Sequence, residues 1–173
     1  IFGGEIEYKP KCKYFVTIDY GTVNAFAVNL YEFDGRNSRM IKEVHHDGKK
    51  QGRKDNEEYY KLMDNAIGTL PVEKVVVDPS AAGFIQTIIK YGKYIVEGAN
   101  NDVLNGIQEV TKYLNYGLIK IHESCVETIK EFQQYSWDDK SNDDAVIKEN
   151  DHHMDALRYY IYGIARAYNA WVV

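Results

Sequence analysis

The run Lys13-Tyr-Phe-Val-Thr-Ile-Asp19 is β-branched and aromatic and stops at Tyr20-Gly21-Thr22, the pattern of a strand that ends in a tight turn. Residues 23–33 and 38–46 are two more strand-like runs, joined through Asp34-Gly35-Arg36-Asn37, a glycine-containing hairpin loop. Three antiparallel strands are therefore expected first. At 55–67 the period changes. Tyr59, Leu62, Met63, Ala66 and Ile67 fall on one helical stripe behind an aspartate placed to cap it.

From there the pattern alternates. Residues 74–78 (Lys-Val-Val-Val-Asp) form a short apolar strand of the kind buried on both faces, and 81–91 form a helix after Pro79-Ser80. Tyr94-Ile95-Val96 reads as a third buried strand, 102–115 as a helix and 118–122 as a strand. Ser124-Cys-Val-Glu127 has the form of a capping box opening another helix. Residues 137–148 are polar and irregular, and 149–168 close the chain as an amphipathic helix with Met154, Leu157, Ile161, Ile164 and Tyr168 at helical spacing.

A hairpin meander followed by alternating helices and strands predicts an α/β fold: a mixed central sheet with helices on both faces. That order of elements is the arrangement of a ribonuclease H-like domain. Residues 1–13 lack periodicity and read as a linker-like segment, which leaves 14–173 as the domain.

Three aspartates stand out against this pattern. Asp19 and Asp78 each end an apolar strand, where an ionised side chain costs several kcal/mol unless something compensates it, and a cation is the simplest compensator. On the last helix, Asp151, His152 and Asp155 share a face by their spacing, while Met154 and Leu157 point into the core. The sheet and this helix are expected to bring Asp19, Asp78 and Asp155 together as metal ligands, with His152 assisting and Asp151 as a further candidate. Oxygen-rich ligands suit Mg²⁺ or Mn²⁺, and two such ions would serve an in-line phosphodiester displacement. Taken singly, each residue also has an ordinary reading as a turn or cap residue. Their combination carries the expectation.

Lys49, Lys50, Arg53 and Lys54, after the third strand, are candidates for contact with a DNA backbone. His45 and His46 are expected to face solvent. Arg158 is expected to pair with a local acid such as Asp151 or Asp155.

The chain also resembles the nuclease domain of the large terminase subunit of tailed double-stranded DNA bacteriophages. The resemblance runs from about residue 14 to 160. It is carried by Ile18-Asp19-Tyr20-Gly21-Thr22, Val77-Asp78-Pro79-Ser80-Ala81, Asn100-Asn101-Asp102-Val103, Ile119-Lys-Ile-His-Glu123 and Asn150-Asp-His-His-Met-Asp-Ala-Leu-Arg-Tyr159. It implies an endonuclease that cuts concatemeric double-stranded DNA during genome packaging, with divalent metal on the aspartates matching Asp19, Asp78 and Asp155 and a histidine matching His152 in support. It further implies as partners an ATPase motor domain, a small terminase subunit and a portal protein, in the host cell cytoplasm. No GxxxxGK[ST] phosphate loop occurs in the chain, so it is not expected to hydrolyse ATP.

Composition adds boundaries. With 173 residues, 45% of them hydrophobic, the chain can bury one core. A net charge of −5 argues against coating DNA by overall positive charge but leaves room for one basic face. Cys12 and Cys125 have neither zinc nor disulfide spacing, which fits a reducing compartment, and no apolar run is long enough for a membrane span. Three other readings stay open. A junction-resolvase-like nuclease shares the metal chemistry, and a partner domain without cleavage shares the fold. An ATP-binding domain of the actin and hexokinase type also opens on Asp-x-Gly-Thr.

Overall fold

The computed structural model describes residues 1–21, 25–138 and 151–169. Six strands make one sheet: β1 (Lys13–Asp19), β2 (Ala25–Phe33), β3 (Ser38–Asp47), β4 (Val72–Val77), β5 (Val96–Gly98) and β6 (Ile119–Ile121), in spatial order β5-β4-β1-β2-β3-β6. The first three pair antiparallel as a meander, whereas β4 joins β1, β5 joins β4 and β6 joins β3 in parallel. Parallel neighbours need crossover connections. Helices α1 (Gly48–Gln51) and α2 (Asn56–Ile67) lead to β4, α3 (Ala82–Tyr91) to β5 and α4 (Val103–Asn115) to β6. Then come α5 (Val126–Asp138) and α6 (His152–Tyr160), the latter continuing through a π-helical turn, Ile161–Ala165, into a last turn, Arg166–Tyr168.

Side-chain alternation divides the interior into two layers. Tyr14, Val16 and Ile18 of β1 pack with Tyr59, Met63, Phe84 and Ile88 of α2 and α3, while Phe15 packs on the other face with Tyr113, Leu157 and Tyr160 of α4 and α6. Thr17 and Asp19 share the face of Phe15, the one that α6 covers. Two polar side chains seat that helix: Thr17 Oγ1 donates to the Ala156 carbonyl at 2.7 Å and Asn29 Nδ2 to the His153 carbonyl at 3.0 Å. Tyr31 and Tyr160 stack with centroids 3.8 Å apart, which fixes α6 further along.

The elements follow the sequence pattern closely, with instructive departures. Asp55 and Asp102 cap α2 and α4, accepting from the Glu58 N–H at 2.8 Å and the Asn105 N–H at 3.3 Å. The strand expected at 94–96 begins two residues later as β5, at the sheet edge, and Ile95 is 69% exposed. An apolar triplet resembles a buried strand, but only neighbours on both sides would bury it.

The capping box at Ser124 does not form. Ser124 Oγ meets His122 Nδ1 at 2.7 Å, and the Glu43 carboxylate of β3 takes the first-turn amides of α5, Glu127 N–H at 2.9 Å and Thr128 N–H at 3.0 Å. A charged acceptor from the sheet has displaced the local one. In the segment read as linker-like, Phe2 N–H donates to the Ile121 carbonyl at 3.0 Å and Glu123 N–H to the Phe2 carbonyl at 2.8 Å, extending the β6 edge. Most of the polar stretch at 137–148 lies outside the described residues, as do Glu149 and Asn150. No helix among the described residues is long and apolar enough to cross a membrane.

Candidate functional site

Register brings two of the three aspartates side by side. Ile18 of β1 pairs with Val77 of β4, so Asp19 and Asp78 stand at the carboxyl ends of neighbouring parallel strands, and the Asp78 N–H donates to the Ile18 carbonyl at 3.0 Å. Asp78 follows Val76 by two residues and Asp19 follows Phe15 by four, and both reference residues belong to the layer under α6. The first turns of α6 then deliver Asp151, His152 and Asp155 to the same end of the sheet. His152 Nδ1 hydrogen-bonds Asp19 Oδ2 at 2.8 Å.

Electrostatics show how closely these groups sense one another. Burial pushes the Asp19 carboxyl above its ordinary range; the His152 hydrogen bond opposes this, and the charges of Asp78 and Asp151 add to it. Asp155 is pushed up to about 6, first by burial and then by the charges of Asp151 and Asp19, with Arg158 opposing. His152 is raised, chiefly by its hydrogen bond to Asp19, against the effect of burial. Tyr159 is raised by burial and then by the charges of Asp19, Asp78 and Asp155. Burial leads the shifts of Asp19, Asp155 and Tyr159, and the charges of the neighbouring carboxylates add to it.

The three carboxylates are nevertheless engaged elsewhere. Asp19 is held by His152, Asp78 Oδ1 accepts from the Ser80 N–H and hydroxyl, both at 2.9 Å, and Asp155 Oδ1 accepts from Arg158 Nη2 at 3.3 Å. Among the described residues, no three His, Cys, Asp or Glu side chains are gathered closely enough to hold a metal ion in this conformation. The donor chemistry fits a hard divalent cation, since it consists of carboxylate oxygens.

Of the expected pairings for Arg158, the structure realises that with Asp155. Lys49 and Lys50 are exposed on α1, and Arg53 is exposed just beyond it. Since Asp47 pairs with Ala25 while Asp19 pairs with Ala27, α1 leaves the sheet at the end that carries the aspartates. Lys54 is half-buried.

His45 and His46 do not face solvent as expected. His46 is buried and its Nε2 contacts the Gly52 carbonyl at 2.7 Å, tying down the basic segment. His45 Nδ1 meets His153 Nε2 at 2.9 Å, and His153 Nδ1 meets Asn29 Oδ1 at 2.6 Å. A strand of two-residue period points one of two adjacent histidines inward, and packing of α6 covers the other.

Sequence reasoning missed the groups that hold the start of α6. The Glu131 carboxylate, 5% exposed, accepts the His153 N–H through both oxygens at 2.9 and 3.0 Å, and burial pushes it up to about 9. Nothing in the pattern of α5 marks Glu131. Asn29, by contrast, did carry a signal, as a polar residue inside the apolar run Ala25-Phe-Ala-Val-Asn-Leu-Tyr31.

The sequence pattern of the Terminase RNase H-like domain family matches residues 6–162. The chain is 26% identical over 157 residues to a protein of Escherichia phage T5 named terminase, large subunit, a match covering 87% of this chain and 35% of that protein. The structure of a large terminase from a thermophilic bacteriophage superposes with a TM-score of 0.83 at 34% identity, over 94% of this chain and 43% of that one. The P22 large terminase nuclease domain shares the fold, with a TM-score of 0.71 at 16% identity over 93% of this chain and 85% of that one. The chain thus spans less than half the length of the T5 protein and of the thermophilic phage's large terminase.

Proposed function

Since this chain belongs to the Terminase RNase H-like domain family, we propose that it is the nuclease domain of a phage large terminase, a divalent-metal-dependent endonuclease that cuts double-stranded DNA during genome packaging. The observation that carries this reading is that Asp19 and Asp78 end neighbouring parallel strands while the start of α6 sets His152 against Asp19, with Asp155 one turn further on.

Asp19, Asp78 and Asp155 would hold the cation, with Mg²⁺ or Mn²⁺ favoured by the oxygen donors and two ions favoured by the number of carboxylates. When bound, such ions supply a Lewis acid for the phosphodiester and lower the pKa of an attacking water. The chain's own groups prepare the site. His152 Nδ1 hydrogen-bonds Asp19 Oδ2 and so orients that carboxylate. Ser80 aims Asp78, and Arg158 aims Asp155. Lys49, Lys50, Arg53 and Lys54 receive the DNA backbone beside the acids. Concatemeric DNA is the substrate, and the ATPase motor domain, small subunit and portal are the partners.

The test is supercoiled plasmid incubated with the chain and Mn²⁺ or Mg²⁺, with EDTA as control. Nicked and linear products that disappear with EDTA are expected; intact plasmid in both metals would sink the reading. For the basic segment, binding of a labelled duplex is measured at several salt concentrations in the Asp19→Asn background. Changing Lys49, Lys50, Arg53 and Lys54 to Ala is expected to flatten the dependence of log affinity on log salt by about 0.9 for each phosphate that these side chains neutralise. An unchanged slope places the DNA elsewhere.

A further inference from the structure

Arg158 is 5% exposed, and its environment does not account for itself as packing. Its Nη2 donates to Asp155 Oδ1 at 3.3 Å and to Asn101 Oδ1 at 3.2 Å, while Nη1 is buried with no hydrogen-bond partner among the described residues. A buried guanidinium with an unused donor costs stability, and an apolar side chain of similar volume is often as good or better. The backbone has also been cleared for it. A Cβ built on Gly106, in the first turn of α4, would lie 2.6 Å from Arg158 Cγ and 2.7 Å from Cδ. Gly106 has ordinary helical surroundings and no left-handed φ, so what requires glycine there is this close approach. The guanidinium carbon also sits 5.1 Å over the ring of Tyr159.

We propose that Arg158 is a positioning residue for the nuclease site: it sets the direction of the Asp155 carboxylate and anchors it, through Asn101, to the loop ahead of α4. The inference rests on the nuclease reading above. Asp155 stands on a helix and Asn101 on a crossover loop, and Arg158 is the side chain that bridges them. Gly106 serves the same bridge by leaving room for the stem. Without Arg158, Asp155 keeps its place in the sequence of α6 but has no hydrogen bond to aim it at Asp19 and Asp78.

Four variants test this: Arg158→Met, Arg158→Lys, Gly106→Ala and the Arg158→Met/Gly106→Ala double. Each is measured for Mn²⁺ affinity by calorimetry, for plasmid cleavage over a Mn²⁺ titration, and for melting temperature. Arg158→Met is expected to melt no lower than the parent, to bind Mn²⁺ about tenfold more weakly and to cut roughly 10–100-fold more slowly, the range for partners behind a metal ligand. Gly106→Ala should shift Mn²⁺ affinity in the same direction, and the double variant should bind Mn²⁺ no more weakly than Arg158→Met alone, because the guanidinium through which the added methyl group acts on Asp155 is then already gone. Should Arg158→Met fail to fold, Arg158→Lys keeps the charge without the planar fork, and weakened Mn²⁺ binding at parental stability supports the proposal.

Parental Mn²⁺ affinity and cleavage in Arg158→Met, or in a folded Arg158→Lys, overturn it. If Asp155→Asn has lost cleavage in the same assay, the nuclease reading survives that outcome. A parent chain that neither binds Mn²⁺ nor cuts overturns both.

Discussion

Exchanging Asp155 for asparagine is expected to remove metal-dependent cleavage, by more than the roughly 10–100-fold that loss of an outer partner costs. Asp155 is the member of the cluster whose burden is most visible. Burial and the charges of Asp151 and Asp19 push it up to about 6, so an uncharged amide of the same shape relieves repulsion while deleting a ligand oxygen. The variant should therefore fold at least as well as the parent and yet fail to cut. Asp19→Asn and Asp78→Asn are expected to behave alike in the plasmid assay, and His152→Ala to weaken cleavage without erasing it. Parental cutting by all three aspartate variants would mean that the cluster is not the metal site.

The same group sets a pH dependence for the parent. A carboxyl with its pKa near 6 is ionised above that value and protonated below it. A divalent cation needs the ionised form, so the Mn²⁺ concentration for half-maximal cleavage should climb as pH falls through about 6 and level off above it. A demand for Mn²⁺ that stays flat between about pH 5 and 7 would remove Asp155 from the ligand set.

The second large effect concerns stability and arises at the start of α6. Glu131 is raised from 4.5 to about 9 by burial, although it accepts backbone N–H groups at the start of α6. Its folded pKa lies above its unfolded one, so between the two values the folded state holds the extra proton. Stability from this group is complete below about 4.5, falls as pH rises by about 1.4 kcal/mol per unit at most, and stops falling above about 9. Glu131→Gln keeps a neutral side chain of the same shape. Urea unfolding at a series of pH values should show the parent losing stability relative to Glu131→Gln from neutral toward alkaline pH. Glu131→Ala, which leaves the His153 amide without its acceptor, should cost about 1–3 kcal/mol at neutral pH. A constant difference between parent and Glu131→Gln across that range would mean that Glu131 is already ionised at neutral pH.

Much of this architecture was legible along the chain. Apolar, β-branched and aromatic runs mark β1, β2, β3 and β4, and the aspartates at 55 and 102 mark where α2 and α4 begin. Asp19 and Asp78 could be singled out because an acid ending an apolar run needs compensation, and Asp155 because helical spacing puts it on a face with His152. The motif around Asp19, however, reads Asp-Tyr-Gly-Thr, which by itself also suits a phosphate-binding turn of an ATP-binding fold. Local sequence could not separate the two, because the difference lies in what stands opposite the aspartate.

What the sequence determined by itself, then, is the period of each segment and the residues that such periods cannot bury without compensation. Those are local properties, set by backbone geometry and solvation. Tertiary structure decided what compensates them. It gave the amides of α5 to Glu43 instead of Ser124, and the amide of His153 to Glu131. It turned His46 inward, placed β5 at an edge, and threaded Arg158 past Gly106 to reach Asn101. Each of these pairings joins residues far apart in the chain or depends on which face a neighbour covers. Hydrogen-bond partners and burial are settled by proximity in the folded molecule, and a one-dimensional pattern carries no measure of that distance.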